Sequence, residues 1–271
     1  MAPKSFFDLP PEIREQVYRA LYSSMTMIYP HFYPPLLATV SKQIRDESVL
    51  AYYHNVRLNF ENEKALVDYL SSISSATLRE LRYISVRELP YLSMPTYEMD
   101  FPPYGFWHLR LLFPGLNLSV LQVRGVCHEF EARCECNRGS QTGSYADVER
   151  LIKSDGFREL VYVSDDDLFL KDDPNLPNSS NIGTARDPQP STWDKMIKDR
   201  DGAQSGAEAR IYRLTQRGPV EIKHEFETSN GFDLAQRATI YEPIEVHVKR
   251  GKSVDYTQAA GALSILGGDS H

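Results

Sequence analysis

The segment Leu78-Arg79-Glu80-Leu81-Arg82-Tyr83-Ile84-Ser85-Val86 carries the pattern that decides the fold of this chain. Its apolar spacing recurs in Leu118-Ser119-Val120-Leu121-Gln122-Val123 and in Phe157-Arg158-Glu159-Leu160-Val161-Tyr162. The three copies begin 40 and then 39 residues apart. The first copy is typical of a turn that leads into a strand, and we predict a buried strand at each of the three places.

Helical periodicity precedes each copy of this pattern. The three predicted helices cover Ala65–Ile73, Trp107–Leu112 and Asp147–Lys153. A helix–strand unit repeated at such a period indicates stacked α/β layers like those of leucine-rich repeats. That class also has Asn or Cys shortly after the strand, and here those places hold Val86, Val126 and Asp165. Stacked repeats and an ordinary α/β protein with similar intervals therefore both stay open.

The N-terminal part of the chain predicts two helices and a strand. The first helix begins in Leu9-Pro10-Pro11, since proline is tolerated in a first helical turn, and ends by about Ser23. Its charged positions, Arg14 among them, are expected on the side opposite its apolar face. That apolar face comprises Ile13, Val17, Ala20 and Leu21. A second helix is predicted from residue 36 to about residue 55, followed by a strand over 56–60. Its stripe comprises Leu37, Val40 and Ile44.

Beyond residue 190 the pattern predicts two more helices and two strands. Hydroxyl side chains at Ser191-Thr192 predict the start of a helix through Trp193. A further helix is predicted over about Ala207–Gln216, ended by Gly218-Pro219. Apolar alternation predicts strands over residues 220–226 and 244–248.

These elements predict an α/β or α+β fold. An N-terminal helical pair leads into alternating helix–strand units, and the C-terminal strands are added antiparallel. The run of turn formers over 172–180 has little to bury and predicts a surface insertion. The expected divisions are an F-box-like helical segment (1–60, argued below), helix–strand units (61–170), the insertion (171–190), C-terminal helices and strands on the same body (191–250) and a flexible tail (251–271).

Composition argues against several classes of function. The 271 residues include 37 acidic and 30 basic side chains, and the net charge of −7 disfavours a protein that mainly binds phosphate backbones. Three cysteines are too few for a disulfide framework. The N-terminus shows no secretory signal, and the longest uncharged stretch, Leu21–Ser41, is interrupted by prolines. We expect a soluble cytoplasmic or nuclear protein without nucleic-acid or membrane partners.

Few residues suggest catalysis or metal binding. Four soft ligands lie close together, and they are Cys127, His128, Cys134 and Cys136. Their Cys-x-Cys spacing is tighter than zinc sites use, so they are weak metal candidates. The run Asp165-Asp166-Asp167 lacks the pattern of a calcium loop, and Arg250-Gly251-Lys252-Ser253 lacks the first glycine of a phosphate-binding loop. We predict no cofactor and no enzymatic activity, with an unrecognised metal-dependent enzyme as a remaining alternative.

A resemblance to a known family rests on two N-terminal motifs. Leu9-Pro10-Pro11-Glu12-Ile13-Arg14, followed by Ser41-Lys42-Gln43-Ile44-Arg45-Asp46-Glu47, resembles the F-box-like domains that are abundant in filamentous fungi. In that family the two helices lead into a strand with characteristic aromatic and amide positions. Here those places hold Tyr52, Asn55, Leu58 and Phe60. The resemblance covers about residues 6–60, roughly a fifth of the chain.

This resemblance implies an adaptor function. In F-box proteins the helices dock on a Skp-type linker of a cullin ubiquitin ligase, and the downstream part holds the substrate. The docking and packing positions that it implies here are Leu9, Pro10, Ile13, Val17, Leu37, Val40 and Ile44. The same stripe could instead pack internally, since an apolar surface is buried only once. We therefore expect a non-enzymatic interaction protein, with a substrate-recruiting adaptor as the leading hypothesis. The alternative is a single-unit fungal structural or interaction protein without a ubiquitin role.

Overall fold

The structure is a computed structural model that describes residues 5–30, 36–88, 109–125, 145, 148–165, 170, 189–223 and 243–255. Its strands form one sheet of eight in the order β1-β2-β3-β4-β5-β8-β6-β7. The strands are β1 Thr26–Ile28, β2 Arg57–Phe60, β3 Tyr83–Glu88, β4 Leu118–Gly125, β5 Phe157–Ser164, β6 Glu208–Thr215, β7 Gly218–Glu221 and β8 Ile244–Lys249.

The sheet has a parallel half and an antiparallel half. Strands β1 to β5 lie side by side in chain order, and each pairs parallel with the next. Strands β8, β6 and β7 extend the sheet antiparallel beyond β5. The predicted mixed α/β class, with an antiparallel C-terminal addition, is confirmed. Both β1 and β2 lie within residues 1–60, so the N-terminal segment is a continuous part of this sheet.

The pairing register agrees with the repeated pattern for two of its three copies. Leu118 pairs with Phe157 and Leu121 with Leu160, so the second and third copies are structurally equivalent. In the first copy, however, it is Ile84 that pairs with Leu121. The first copy is therefore offset by three residues relative to the second, because its first leucine lies in the helix that precedes the strand. The stacked-repeat interpretation stays a prediction.

Helix boundaries follow local capping chemistry. Pro11 stands at the first position of α1, where its missing N–H costs nothing. The Ser41 hydroxyl accepts the Ile44 N–H and divides the predicted second helix into α2 and α3. Asn62 caps α4 as its N-cap position predicts. The helices are α1 Pro11–Ser23, α2 Leu36–Val40, α3 Lys42–Asn55, α4 Glu63–Ser72, α5 Ser75–Glu80, α6 Leu109–Leu112, α7 148–153 and α8 Ser191–Asp201.

The core lies between one face of the sheet, here called the inner face, and the helices. Two rows of buried side chains cross the inner face in register. They are Leu58, Ile84, Leu121, Leu160, Val248 and Ala209, and then Phe60, Val86, Val123, Tyr162, Val246 and Ile211. Leu66 and Leu70 of α4 and Trp193 of α8 belong to the same core cluster. Right-handed crossovers between adjacent parallel strands place their helices on one side, which agrees with this single core.

The helix predicted over Ala207–Gln216 is wrong, because this segment is strand β6. Ala209 and Ile211 are buried while Arg210 between them is exposed, which is the two-residue period of a strand. Its pairing with β8 and its hairpin with β7 satisfy the backbone groups. Pro219, expected to end a helix, lies on the edge strand, where a missing N–H is tolerated.

The described helices are too short for a membrane span. The longest, α3, has 14 residues, whereas a span needs about 20 apolar residues.

Candidate partner-binding site

One face of α1 is anchored against α3 by aromatic side chains. Tyr18 and Tyr22 are 2% and 0% exposed. The Tyr22 ring meets that of Tyr52 edge-on with centroids 5.5 Å apart, and its hydroxyl lies 3.4 Å from the Ser48 hydroxyl. Burial raises the pKa of Tyr52 to about 12. These contacts fix which side of α1 faces inward.

A buried arginine completes the anchored face. Arg14 forms two hydrogen bonds to Glu47 of α3, from Nε to Oε2 and from Nη2 to Oε1, both 2.9 Å long. The Tyr18 hydroxyl donates to the same carboxylate at 3.2 Å, and Gln43 donates at 2.9 Å. The hydrogen bonds from Arg14 and then Gln43 hold the pKa of Glu47 below its ordinary value, and Glu47 raises the pKa of Arg14.

Arg14 also positions the segment ahead of the helix. Its Nη1 donates to the Leu9 carbonyl at 2.6 Å and to the Phe7 carbonyl at 3.3 Å. Because one guanidinium holds both α3 and these two carbonyls, the Phe6–Leu9 turn is fixed relative to the helix pair. Leu9 and Pro10 are thereby presented at a defined place beside α1.

The expectation that Arg14 lies on the outward side of α1 is wrong. Arg14 is 8% exposed, whereas Ile13, Val17 and Leu21 are 41%, 45% and 39% exposed. The side of α1 that faces the core is formed by the residues that each follow a residue of the expected apolar stripe. This orientation is favoured because two tyrosine rings bury more surface than the aliphatic side chains do. A buried guanidinium is tolerated there since Glu47 and the two carbonyls satisfy it.

The outward side of α1 is therefore an apolar stripe of Ile13, Val17 and Leu21, spaced at i, i+4 and i+8. We call it the α1 stripe. Eight residues of helix place its ends about 12 Å apart. Single exposed aliphatic residues are ordinary on a protein surface, but a row of three along two helical turns is typical of a surface that contacts another molecule.

The other predicted partner-binding residues divide between surface and core. Leu9 and Leu37 are half-buried, and Pro10 is exposed. Val40 of α2 is 66% exposed. Ile44 of α3 is only 8% exposed and belongs to the core cluster, so its structural contribution is to packing.

Most of the weak metal candidates are in segments that the structure does not describe. Cys127, His128, Cys134 and Cys136 lie outside the described residues, as do Asp166 and Asp167. In the parts of the chain that the structure describes, no three His, Cys, Asp or Glu side chains are grouped as metal ligands. Arg250, from the segment that resembles the end of a phosphate-binding loop, is buried in ion pairs with Asp201 and Asp155.

Sequence reasoning missed the pair that organises this site, Arg14 and Glu47. A signal was present, because both residues belong to the two motifs that carry the F-box-like resemblance. Each motif looks like an ordinary charged helix surface when it is considered alone. Only their pairing across 33 positions shows that these charges face inward.

Comparison with known proteins returned no relative: no family model, no curated protein and no solved structure matches this chain.

Proposed function

We propose that this chain is a non-enzymatic interaction protein that docks a partner through the α1 stripe, and that the partner is a Skp-type linker of a cullin ubiquitin ligase. The observation that carries the proposal is the orientation of α1. Its tyrosines and Arg14 supply the internal packing, which leaves Ile13, Val17 and Leu21 available for a partner. The fungal F-box-like resemblance supplies the identity of that partner.

The α1 stripe alone can supply only part of the free energy that binding of a partner needs. A fully buried Val, Leu or Ile contributes roughly 1.5–3 kcal/mol, so a residue about 40% exposed still has about 1 kcal/mol to gain. Three such residues supply about 3 kcal/mol, whereas a micromolar complex needs about 8 kcal/mol. The partner must therefore also contact neighbouring groups. Leu9, Pro10 and Val40, which the resemblance also assigns to docking, are the candidates for these additional contacts.

The test is binding of the purified linker to the full chain, followed by substitution on the stripe. We expect micromolar binding by the wild type and its loss in Ile13→Asp, since a carboxylate would be buried without a partner. Gln16→Asp is the matched control, because Gln16 is exposed on the same helix but lies off the stripe. Equal weakening in both variants, or no binding by the wild type, contradicts the proposal.

Measurements of stability distinguish two roles of the α1 stripe, docking of a partner and packing against the core. Because Ile13 is 41% exposed, Ile13→Asp should lower the free energy of unfolding by only about 1–2 kcal/mol, the part of its burial that the fold already uses, and should leave unfolding cooperative. Tyr22→Asp, at a fully buried position, should abolish cooperative unfolding. If Ile13→Asp also unfolds the chain, the stripe serves the core and the docking proposal fails.

A second candidate is a single-unit interaction protein without a ubiquitin role. It is favoured by the continuity of β1 and β2 with the rest of the sheet, since F-box helices need no such connection to act as a module. In that case the α1 stripe binds a protein other than the linker. Cross-linking from a cysteine placed at position 17, followed by mass spectrometry, would identify that protein.

A further inference from the structure

The sheet has a second face, opposite the core, which we call the outer face. Its residues alternate with those of the inner face along each strand. Two rows cross it in register. They are Thr26, Arg57, Tyr83, Val120, Glu159, Lys249 and Glu208, and then Ile28, Asn59, Ser85, Gln122, Val161, His247 and Arg210. Apart from Ser85, these side chains are half-buried or exposed.

Charge is distributed unevenly across the outer face. In β5, β8 and β6 the charges are paired: Arg210 with Glu208 at 2.6 Å, and Lys249 with Glu159 at 3.6 Å. The outer-face positions within β2, β3 and β4, in contrast, include three arginines and no carboxylate. The arginines are Arg57, Arg87 and Arg124.

Two of these arginines are exposed cations without an ion pair among the described residues, namely Arg57 and Arg124. The nearest described polar contact of Arg57 is Gln122, whose Oε1 lies 3.4 Å from Nη1. Arg124 pairs in register with Arg87 on β3. Two cationic side chains therefore stand on adjacent strands of this face, in a chain whose net charge is −7.

The surface between the two exposed arginines carries several hydrogen-bonding groups. Tyr83 and Val120 stand in the same row as Arg57, and Gln122 stands two residues before Arg124. Ser85 lies at the centre, 2% exposed, and its hydroxyl has no hydrogen-bond partner among the described residues. Because Ser85 is buried, a segment bound on this face would make its hydrogen bonds to the half-buried Tyr83 and Gln122 around it.

We propose that the outer face of β2, β3 and β4 binds an extended acidic segment of a protein partner. Arg57 and Arg124 are two strands and about four residues apart, which places their Cα atoms about 16 Å from each other. An extended peptide rises about 3.3 Å per residue and turns every second side chain to the same face, so carboxylates four residues apart, about 13 Å, lie on one face and come within reach of the two long guanidinium side chains. Arginine suits this task because its planar fork binds carboxylates through two hydrogen bonds.

An acidic peptide fits the surface better than nucleic acid does. Nucleic-acid binding needs a run of cations that follows many phosphates, whereas the neighbouring strands β5, β6 and β8 present Glu159, Glu208 and Glu245 on the same face. A short acidic segment that ends at β4 avoids those glutamates. The idea that this surface holds a recruited protein rests on the adaptor function proposed above. Binding of a peptide to the surface, however, does not require the linker.

The test uses the full chain alone and a fluorescent peptide of about 12 residues that alternates Glu and Ser, with Gln in place of Glu as the neutral probe. Fluorescence anisotropy at about 50 mM and about 300 mM salt should show about tenfold tighter binding of the acidic peptide, with the difference reduced at the higher salt. Arg57→Glu and Arg124→Glu should each weaken binding at least about fivefold.

Lys195→Glu is the control for net charge, because Lys195 is exposed on α8, away from the outer face. It makes the same change in charge and should leave binding within about twofold of the wild type. Equal binding of both peptides, equal weakening by Lys195→Glu, or tighter binding of a single-stranded RNA of similar length would each overturn the proposal. Ile13→Asp should bind the peptide as tightly as the wild type does. Loss of linker binding and loss of peptide binding can therefore be told apart.

Discussion

At the scale of single residues, Arg250 and Asp201 form a nearly inaccessible ion pair. Their side chains are 2% and 1% exposed, and Arg250 Nε and Nη2 reach the two carboxylate oxygens at 2.7 and 2.8 Å. Asp201 also accepts the Gly251 N–H at 2.8 Å. Arg250 donates to Asp155 at 3.1 Å as well, and Arg200 donates to the same aspartate. This network joins the end of α8, the end of β8 and the turn before β5.

Asp201→Asn should therefore destabilise the fold strongly. Removing this carboxylate leaves two arginines, Arg250 and Arg200, to share the single carboxylate of Asp155, and breaking a buried ion pair typically costs about 3–5 kcal/mol. Urea unfolding measures the change in free energy, and Asp199→Asn on the same helix serves as the exposed control, expected within about 0.5 kcal/mol of wild type. A loss no larger in Asp201→Asn than in Asp199→Asn would show that the network adds little to stability.

At the scale of elements, the sequence predicted the helix starts and the strands that short-range residue patterns determine. α1 and α4 begin where a proline and a capping side chain mark them, and β8 alternates along its whole length. α8 begins at Ser191 as predicted, although Pro190 and not a hydroxyl residue occupies its N-cap position. β6 was missed because Ala, Glu, Arg and Leu within it are good helix formers. Its identity depends on pairing with β8, more than thirty residues further along the chain, which no local window contains.

The cap of α4 allows a direct test of local chemistry. The Asn62 side-chain oxygen accepts the Ala65 N–H at 2.9 Å, and α4 carries Leu66 and Leu70 into the core. Asn62→Ala should cost about 1 kcal/mol. For a chain of this size that corresponds to a fall of about 2–4 °C in the unfolding midpoint, measured by circular dichroism. Asn62→Asp keeps an acceptor and should restore most of the loss, while an unchanged midpoint in Asn62→Ala would mean that the cap is dispensable.

At the scale of the whole molecule, the candidate site was only partly predictable. Periodicity identified Ile13 and Val17 as one face of a helix, but it could not say whether that face looks inward. The answer depends on Tyr22 meeting Tyr52 and on Arg14 meeting Glu47, contacts between residues about 30 positions apart. The sequence likewise shows each arginine of the outer face but not which of them are neighbours. Only the register of β3 and β4 places Arg87 beside Arg124.

Two carboxylates that fasten different parts of the molecule make its stability sensitive to acid. Glu47 joins α1 to α3, and Asp201 joins α8 to β8. Burial alone would raise the pKa of Asp201, but hydrogen bonds from Arg250 and from the Gly251 N–H outweigh it, so its pKa lies below the ordinary value, as that of Glu47 does. A carboxylate whose pKa is lower in the folded state stabilises the fold above its unfolded pKa.

The stabilisation from these groups should be lost as the pH falls from about 4.5, near the unfolded pKa values, down through the folded ones. Urea midpoints measured between about pH 7 and pH 3 should therefore be level down to about pH 5 and then fall. Asp201→Asn, which has no proton to gain at this position, should lower the midpoint at neutral pH and flatten the decline. Asp199→Asn should follow the wild-type curve. Parallel curves for Asp201→Asn and wild type would mean that Asp201 is not among the groups whose protonation unfolds the protein.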